Sequence, residues 1–215
     1  MPHTFLCRSQ RPMARALAWL RAAALGSSVI FLAACASPAL DPTVYVLKSE
    51  PPVAAPEPST TARPWQLVLP VRVPDYLDRD ELLLPQGAHA VQLAAQHLWA
   101  EPLSRSVPRV LSQDLRALRG AGSLWTAPLG GVAVQGQLRV ELLALDVDAG
   151  GRSVSVQARW STHPQGAAGQ PGAQPMAHTT RLTVPSTGPD AASLVAAHRL
   201  ALWQLAQAIA RTLQP

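Results

Sequence analysis

"VAVQGQLRVELLALDV", residues 132 to 147, decides the fold. In its first part the even positions are apolar: Val132, Val134, Leu138, Val140 and Leu142. Side chains alternate between the faces of a strand, so this two-residue repeat places the set on one side of a sheet. After Leu142 the apolar phase moves to Leu143, Leu145 and Val147. Such a switch requires either a β-bulge or burial on both faces. "DAGG" (148–151) has the composition of a turn, and "SVSVQARW" (153–160) then alternates with Val154, Val156, Ala158 and Trp160 on one side. A Gly/Pro loop, "HPQGAAGQPGAQPM" (163–176), leads to "HTTRLTV" (178–184). Three consecutive alternating segments read as an antiparallel meander.

Two helical stripes accompany the strands. From Ala191 to Leu213 the apolar positions include Leu194, Val195, Leu202, Leu205, Ile209 and Leu213, with His198 on the same stripe and Asp190 placed to cap the start. From Glu101 to Leu118, Leu103, Val107, Leu111, Leu115 and Leu118 recur at spacings of four and three. Pro102 suits the first turn of that helix. Pro108 does not, which predicts a kink there or a start near Ser106 as N-cap. The expected architecture is α+β, an antiparallel β-sheet with two amphipathic helices packed on one face.

Upstream, "TVYVLK" (43–48) reads as a first strand. "SEPPVAAPEPSTTARP" (49–64) carries five prolines in sixteen residues and reads as an extended or mobile loop. "WQLVLPVRV" (65–73) alternates, but Pro70 cannot donate to a ladder, so an edge strand is expected. "HAVQLA" (89–94) is a weaker strand candidate. No internal repeat is visible.

The N-terminus bounds the setting. Arg8, Arg11, Arg15 and Arg21 precede a run of thirteen largely apolar residues that ends at Cys35. A bilayer core takes about 20 apolar residues to span, so a basic segment followed by this short run reads as a secretory signal, residues 1–34. Everything the signal needs follows Met13, a second candidate start. "LAAC" (32–35) resembles a bacterial lipobox, which makes Cys35 the lipidated residue of the mature chain and Ala36 a residue compatible with sorting to the outer membrane. Residues 35–42 would form a short tether and 43–215 a single domain. The seven residues between Cys35 and Thr43 reach at most about 25–30 Å, so that domain stays close to the membrane.

Cleavage also changes the charge. Four of the 18 Lys and Arg residues leave and none of the 13 acids does, so the formal charge of +5 falls to +1 (14 basic, 13 acidic). The basic excess belongs to targeting, which argues against nucleic acid as a partner. Cys7 leaves too, and no disulfide or thiolate metal site is possible in what remains.

No nucleophile elbow, zinc-protease helix or phosphate loop is present; "GAGSLW" (120–125) lacks the third glycine of a dinucleotide fingerprint. No cofactor and no metal are expected. "PDYLDRDELLL" (74–84) gathers Asp75, Asp78, Asp80 and Glu81. Counted as a calcium loop from Asp75 it fails, with Leu77 at position 3, Asp80 at position 6 and Gln86 at position 12. A charged turn is the plain reading, with Asp75 capping and Arg79 pairing locally. A shaped contact loop presenting Tyr76 and Leu77 is the functional one.

"LPVRVPDYLDRDELL" (69–83), "HLWAEPLSRSVPRVLSQDL" (97–115), "LVAAHRLALWQLAQAIARTL" (194–213) and "VYVL" (44–47) together resemble the PqiC family, lipoproteins that accompany MCE-type lipid transporters. Asp80 and the long loop at 163–177 depart from that pattern. The resemblance implies a non-catalytic subunit on the inner leaflet of the outer membrane, facing the periplasm. It would dock an MCE-domain (PqiB-type) transporter subunit and help maintain membrane integrity, alone or as a homo-oligomer. Asp75, Tyr76, Leu77, Asp78, Arg79, Trp99 and Glu101 are the candidate partner interface. For Trp99 core packing is an equal reading, and for Asp78 and Arg79 an intrachain salt bridge is. The competing class is a free-standing lipid-binding lipoprotein whose pocket wall is the Leu142–Val147 region.

Overall fold

The computed structural model describes residues 41–48, 50–54, 64–87, 89–127, 133–165 and 174–213. The signal, Cys35, most of the tether, the centre of the proline-rich segment and the middle of the Gly/Pro loop lie outside the described residues.

The meander is present as expected: β6 (Gly136–Val147), β7 (Ser153–Pro164) and β8 (Met176–Pro185) pair antiparallel. The phase switch is a bulge. Leu138, Val140 and Leu142 oppose Thr162, Trp160 and Ala158, the register shifts between Leu142 and Ala144, and Leu145 then opposes Val156. Without the extra residue Leu145 would face outward; with it Leu145 returns to the buried face while Leu143 stays half-buried. At the β6–β7 turn the Asp148 carboxylate accepts backbone N–H groups of Gly150, Arg152 and Ser153, and Gly151 supplies the positive φ of 65°.

The sheet arrangement differs from the expectation. Among the described residues there are two sheets, and both are mixed. In the five-stranded one, β2 (Trp65–Leu67) runs parallel to β6 and to the two-residue β5 (Leu124–Trp125), in the order β5-β2-β6-β7-β8. The expected edge strand is therefore an internal one, cut short before Pro70, so that the proline never enters the ladder. In the three-stranded sheet β4 (Val91–Trp99) is central, parallel to β1 (Thr43–Tyr45) and antiparallel to β3 (Glu81–Pro85). Alternation assigns a face to each residue but names neither the partner strand nor its direction.

Helix α1 (Leu103–Arg119) starts directly after Pro102, whose carbonyl takes the N–H groups of Arg105 and Ser106 at 2.9 and 3.1 Å. Pro108 sits inside it, and Ser106 is a buried residue of the second turn, not the N-cap. Pro102 already holds the φ of a helix entrance, which places the start there. Helix α2 (Ala191–Thr212) is capped by Asp190, which accepts the Ser193 N–H at 2.9 Å. It packs on β7 and β8 and is covered in turn by α1. That central place explains why Ala197, Ala201 and Ala206 are all buried along it: small side chains let both neighbours approach.

One polar cluster lies inside this packing. Arg199 forks onto Asp114 of α1 (2.5 and 2.9 Å) and also donates to the carbonyls of Lys48 and Glu50. Asp114 is fully buried, and burial pushes its carboxyl up to about 6 against the opposing pull of Arg199.

Candidate functional site

The acidic turn is a single 3-10 turn, Asp75–Leu77, closed by backbone bonds from Leu77 to Pro74 and from Asp78 to Asp75. The Asp75 side chain caps nothing, and Arg79 forms no ion pair among the described residues. Asp75, Asp78, Arg79 and Asp80 are all exposed. What holds the turn is its uncharged part. Leu77 is buried in the core, and the Tyr76 hydroxyl donates to Asp146 Oδ1 at 2.7 Å. Burial first, then the bond to Asp146 and its charge, raise the Tyr76 phenol well above its ordinary value, so it stays a donor. The turn's exit is tied down by the Trp99 N–H, which donates to the Asp80 carbonyl at 2.6 Å.

These contacts frame a cavity of about 360 Å³ between the turn, the β3–β4 hairpin and the end of β6. Leu77, Leu82, Trp99, Leu103 and Leu145 form apolar walls, and Tyr76, Glu81, His89 and Asp146 are polar residues of the lining. Among the described residues no lysine or arginine lines it.

His198 completes the lining from α2. It is 3% exposed, and Trp99 meets its ring edge-on at a centroid distance of 5.5 Å. Nδ1 lies 2.7 Å from the Leu194 carbonyl. A carbonyl only accepts, so Nδ1 carries the proton, and Nε2 of the neutral ring is an acceptor. Burial lowers the His198 pKa, outweighing the Leu194 bond and the charge of Asp146.

The contribution of His198 to stability should therefore fall on acidification. Between the ordinary histidine pKa of about 6.5 and the lower folded value, the unfolded chain binds the proton and the native one does not. Each pH unit in that window removes up to about 1.4 kcal/mol. Asp114 acts in the opposite sense: with its folded pKa near 6, its ionisation costs stability as pH rises from about 4 through 6. Denaturant titrations of wild type and His198→Phe at pH 5, 6 and 7 separate the two. The stability difference should move in favour of the variant as pH falls, and an unchanged difference would place the ring in solvent.

Of the expected interface residues, the structure brings Tyr76, Leu77 and Trp99 to one cavity. Trp99 is 6% exposed and Leu77 4%, so both are wall and core rather than surface. Glu101 lies apart: it pairs with Arg109, whose Nη2 also donates to the Leu47 carbonyl at 3.1 Å. Sequence reasoning missed Asp146 and the cavity role of His198. The phase switch at 142–147 and a histidine on an apolar stripe were the available signals. Among the described residues no group of three or more His, Cys, Asp or Glu lies close enough together to hold a metal ion.

Residues 45–210 match the family described as ABC-type transport auxiliary lipoprotein component. The chain belongs to this family. Solved structures that share the fold include an uncharacterized protein and protein XCC0632 of Xanthomonas campestris, assigned to DUF330. The first is 20% identical with a TM-score of 0.64, the match covering 81% of this chain and 100% of that one. The second is 15% identical with a TM-score of 0.55, covering 78% and 92%. No curated protein matches. Membership makes the chain an auxiliary component of ABC-type transport. The family is one of lipoproteins, and among the described residues no helix is long and apolar enough to cross a membrane.

Proposed function

We propose that this chain is the outer-membrane docking subunit of an MCE-type intermembrane lipid transporter. It is held at the inner leaflet by acyl chains on Cys35 and presents its folded domain to the periplasm. The family match over residues 45–210 carries this reading, supported by the lipobox-like "LAAC" and the short tether. The chemistry asked of the chain is attachment, not catalysis, and membrane integrity depends on it indirectly, through the transporter it positions. The turn suits a contact surface because it is built to be rigid and exposed at once. Leu77 and the Tyr76–Asp146 bond fix its backbone, while Asp75, Asp78 and Arg79 stand free in solvent. A loop ordered before contact loses less entropy on binding.

The test is to express the full-length protein, tagged at its C-terminus, in a double-membrane bacterium that carries the MCE subunit. Wild type should fractionate with the outer membrane and retain the MCE subunit after gentle detergent extraction. Cys35→Ala should leave that fraction, because about 0.8 kcal/mol per buried CH₂ is lost over two or three chains. A membrane-bound wild type without the subunit would sink docking. Stoichiometric lipid on that partnerless protein would favour the free-standing lipid binder.

A further inference from the structure

The cavity beneath Tyr76 has features that docking by an exposed loop does not require. Its walls are apolar, two carboxylates border it, and His198, nine-tenths buried and more, contributes a ring nitrogen with no hydrogen-bond partner among the described residues. Nδ1 is turned back to the Leu194 carbonyl along the helix, so the edge of the ring bearing Nε2 is the one left for the cavity. The Tyr76 hydroxyl is already spent on one oxygen of Asp146, and the other oxygen has no partner among the described residues.

We propose that this cavity receives a basic side chain, an arginine or lysine flanked by apolar residues, from the protein on which the chain docks. The inference rests on the docking reading and adds the chemistry of the contact. An arginine stem is apolar and packs along Leu77, Leu145 and the Trp99 ring, while its guanidinium offers five N–H donors. One can reach Nε2 of His198 and others the Asp146 and Glu81 carboxylates, and the Trp99 and Tyr76 rings add attraction for a cation. Charge complementarity selects this occupant. A phospholipid headgroup would bring its phosphate against Glu81 and Asp146. An acyl chain would desolvate both carboxylates and leave Nε2 unmet.

Two measurements test it, both on the full-length lipoprotein in a neutral detergent. The first titrates fluorescently labelled, blocked tripeptides: leucine–arginine–leucine, and leucine–norleucine–leucine as the uncharged control. The arginine peptide should bind about tenfold tighter or more. Asp146→Asn and Glu81→Gln should erase that preference, with circular dichroism unchanged. His198→Phe should weaken the arginine peptide while leaving the norleucine peptide unaffected. Equal binding of both peptides, binding of neither, or a preference that survives in Asp146→Asn would overturn the proposal. So would displacement of the arginine peptide by phosphatidylethanolamine added to the micelles, which would make the ligand a lipid amine.

The second measurement repeats the co-purification of the MCE subunit with Asp146→Asn. Loss of the subunit from the variant alone supports the proposal. Full recovery by the variant overturns it and leaves docking standing. Failure of wild type itself to recover the subunit removes the docking reading, and this assignment of the occupant with it.

Discussion

Replacing Arg199 with alanine is expected to cost about 3–5 kcal/mol of stability, a large part of the roughly 5–15 kcal/mol available to a domain. The reason is what remains behind. Asp114 is fully buried, and the guanidinium is the side chain that pairs with it. Without that partner the carboxylate must take up a proton or remain an uncompensated buried charge. The carbonyls of Lys48 and Glu50 lose their donor at the same moment. The segment after β1 would therefore come away from α2, and proteolysis within residues 46–54 should accelerate together with the fall in denaturation midpoint. Substituting both partners, Asp114→Leu with Arg199→Met, should recover part of the loss, since a buried pair can be exchanged for apolar residues of similar volume. It should not recover all, because the two carbonyls stay unpaired. A cost under about 1 kcal/mol for Arg199→Ala would mean that water reaches the pair as it does at a surface salt bridge.

The second large effect is expected at Trp65. This residue is 3% exposed and sits at the start of β2, where it opposes Leu124 on one side and Gly136 on the other. A methyl group built on Gly136 would lie 2.7 Å from the Trp65 ring, 2.6 Å from the His163 carbonyl oxygen and 2.8 Å from the Pro164 Cα. The indole thus occupies the space that a side chain at 136 would take. Trp65→Ala should cost about 3–5 kcal/mol, the usual range for emptying a large aromatic site. Trp65→Phe should cost markedly less, because the indole N–H has no hydrogen-bond partner among the described residues and its loss removes no bond. Gly136→Ala should cost about 1–3 kcal/mol by overpacking. In the Trp65→Ala background that penalty should shrink but persist, since two of the three close atoms are backbone. Strict additivity in this cycle would show that ring and glycine do not share one space.

Legibility from the sequence followed the range of the interaction. The bulge after Leu142, the Asp148–Gly151 turn and the Asp190 cap each depend on residues within a few positions of one another, and each was readable. The Pro108 problem was local too, and of its two readings the start near Ser106 is the one the helix excludes. Pro102 had already placed the helix start, and the gain from packing Val107, Val110 and Leu111 outweighed one missing donor. Of the candidate site, the turn carrying Tyr76 and Leu77 was recognised as a shaped element. Its charges attracted the reading, whereas its uncharged residues turned out to anchor it.

By itself the sequence determined which faces of the meander and helices are apolar and where the turns fall. Those properties repeat every two residues in a strand or every three to four in a helix, and any backbone of that type must obey them. Only the tertiary structure decided that β1 and β2 would pair in parallel with strands far along the chain. It alone also set Tyr76 against Asp146, seventy positions away, and Asp114 against Arg199, eighty-five away. Those choices depend on the path of the whole chain and on which buried surfaces fit together, and no local period encodes that path.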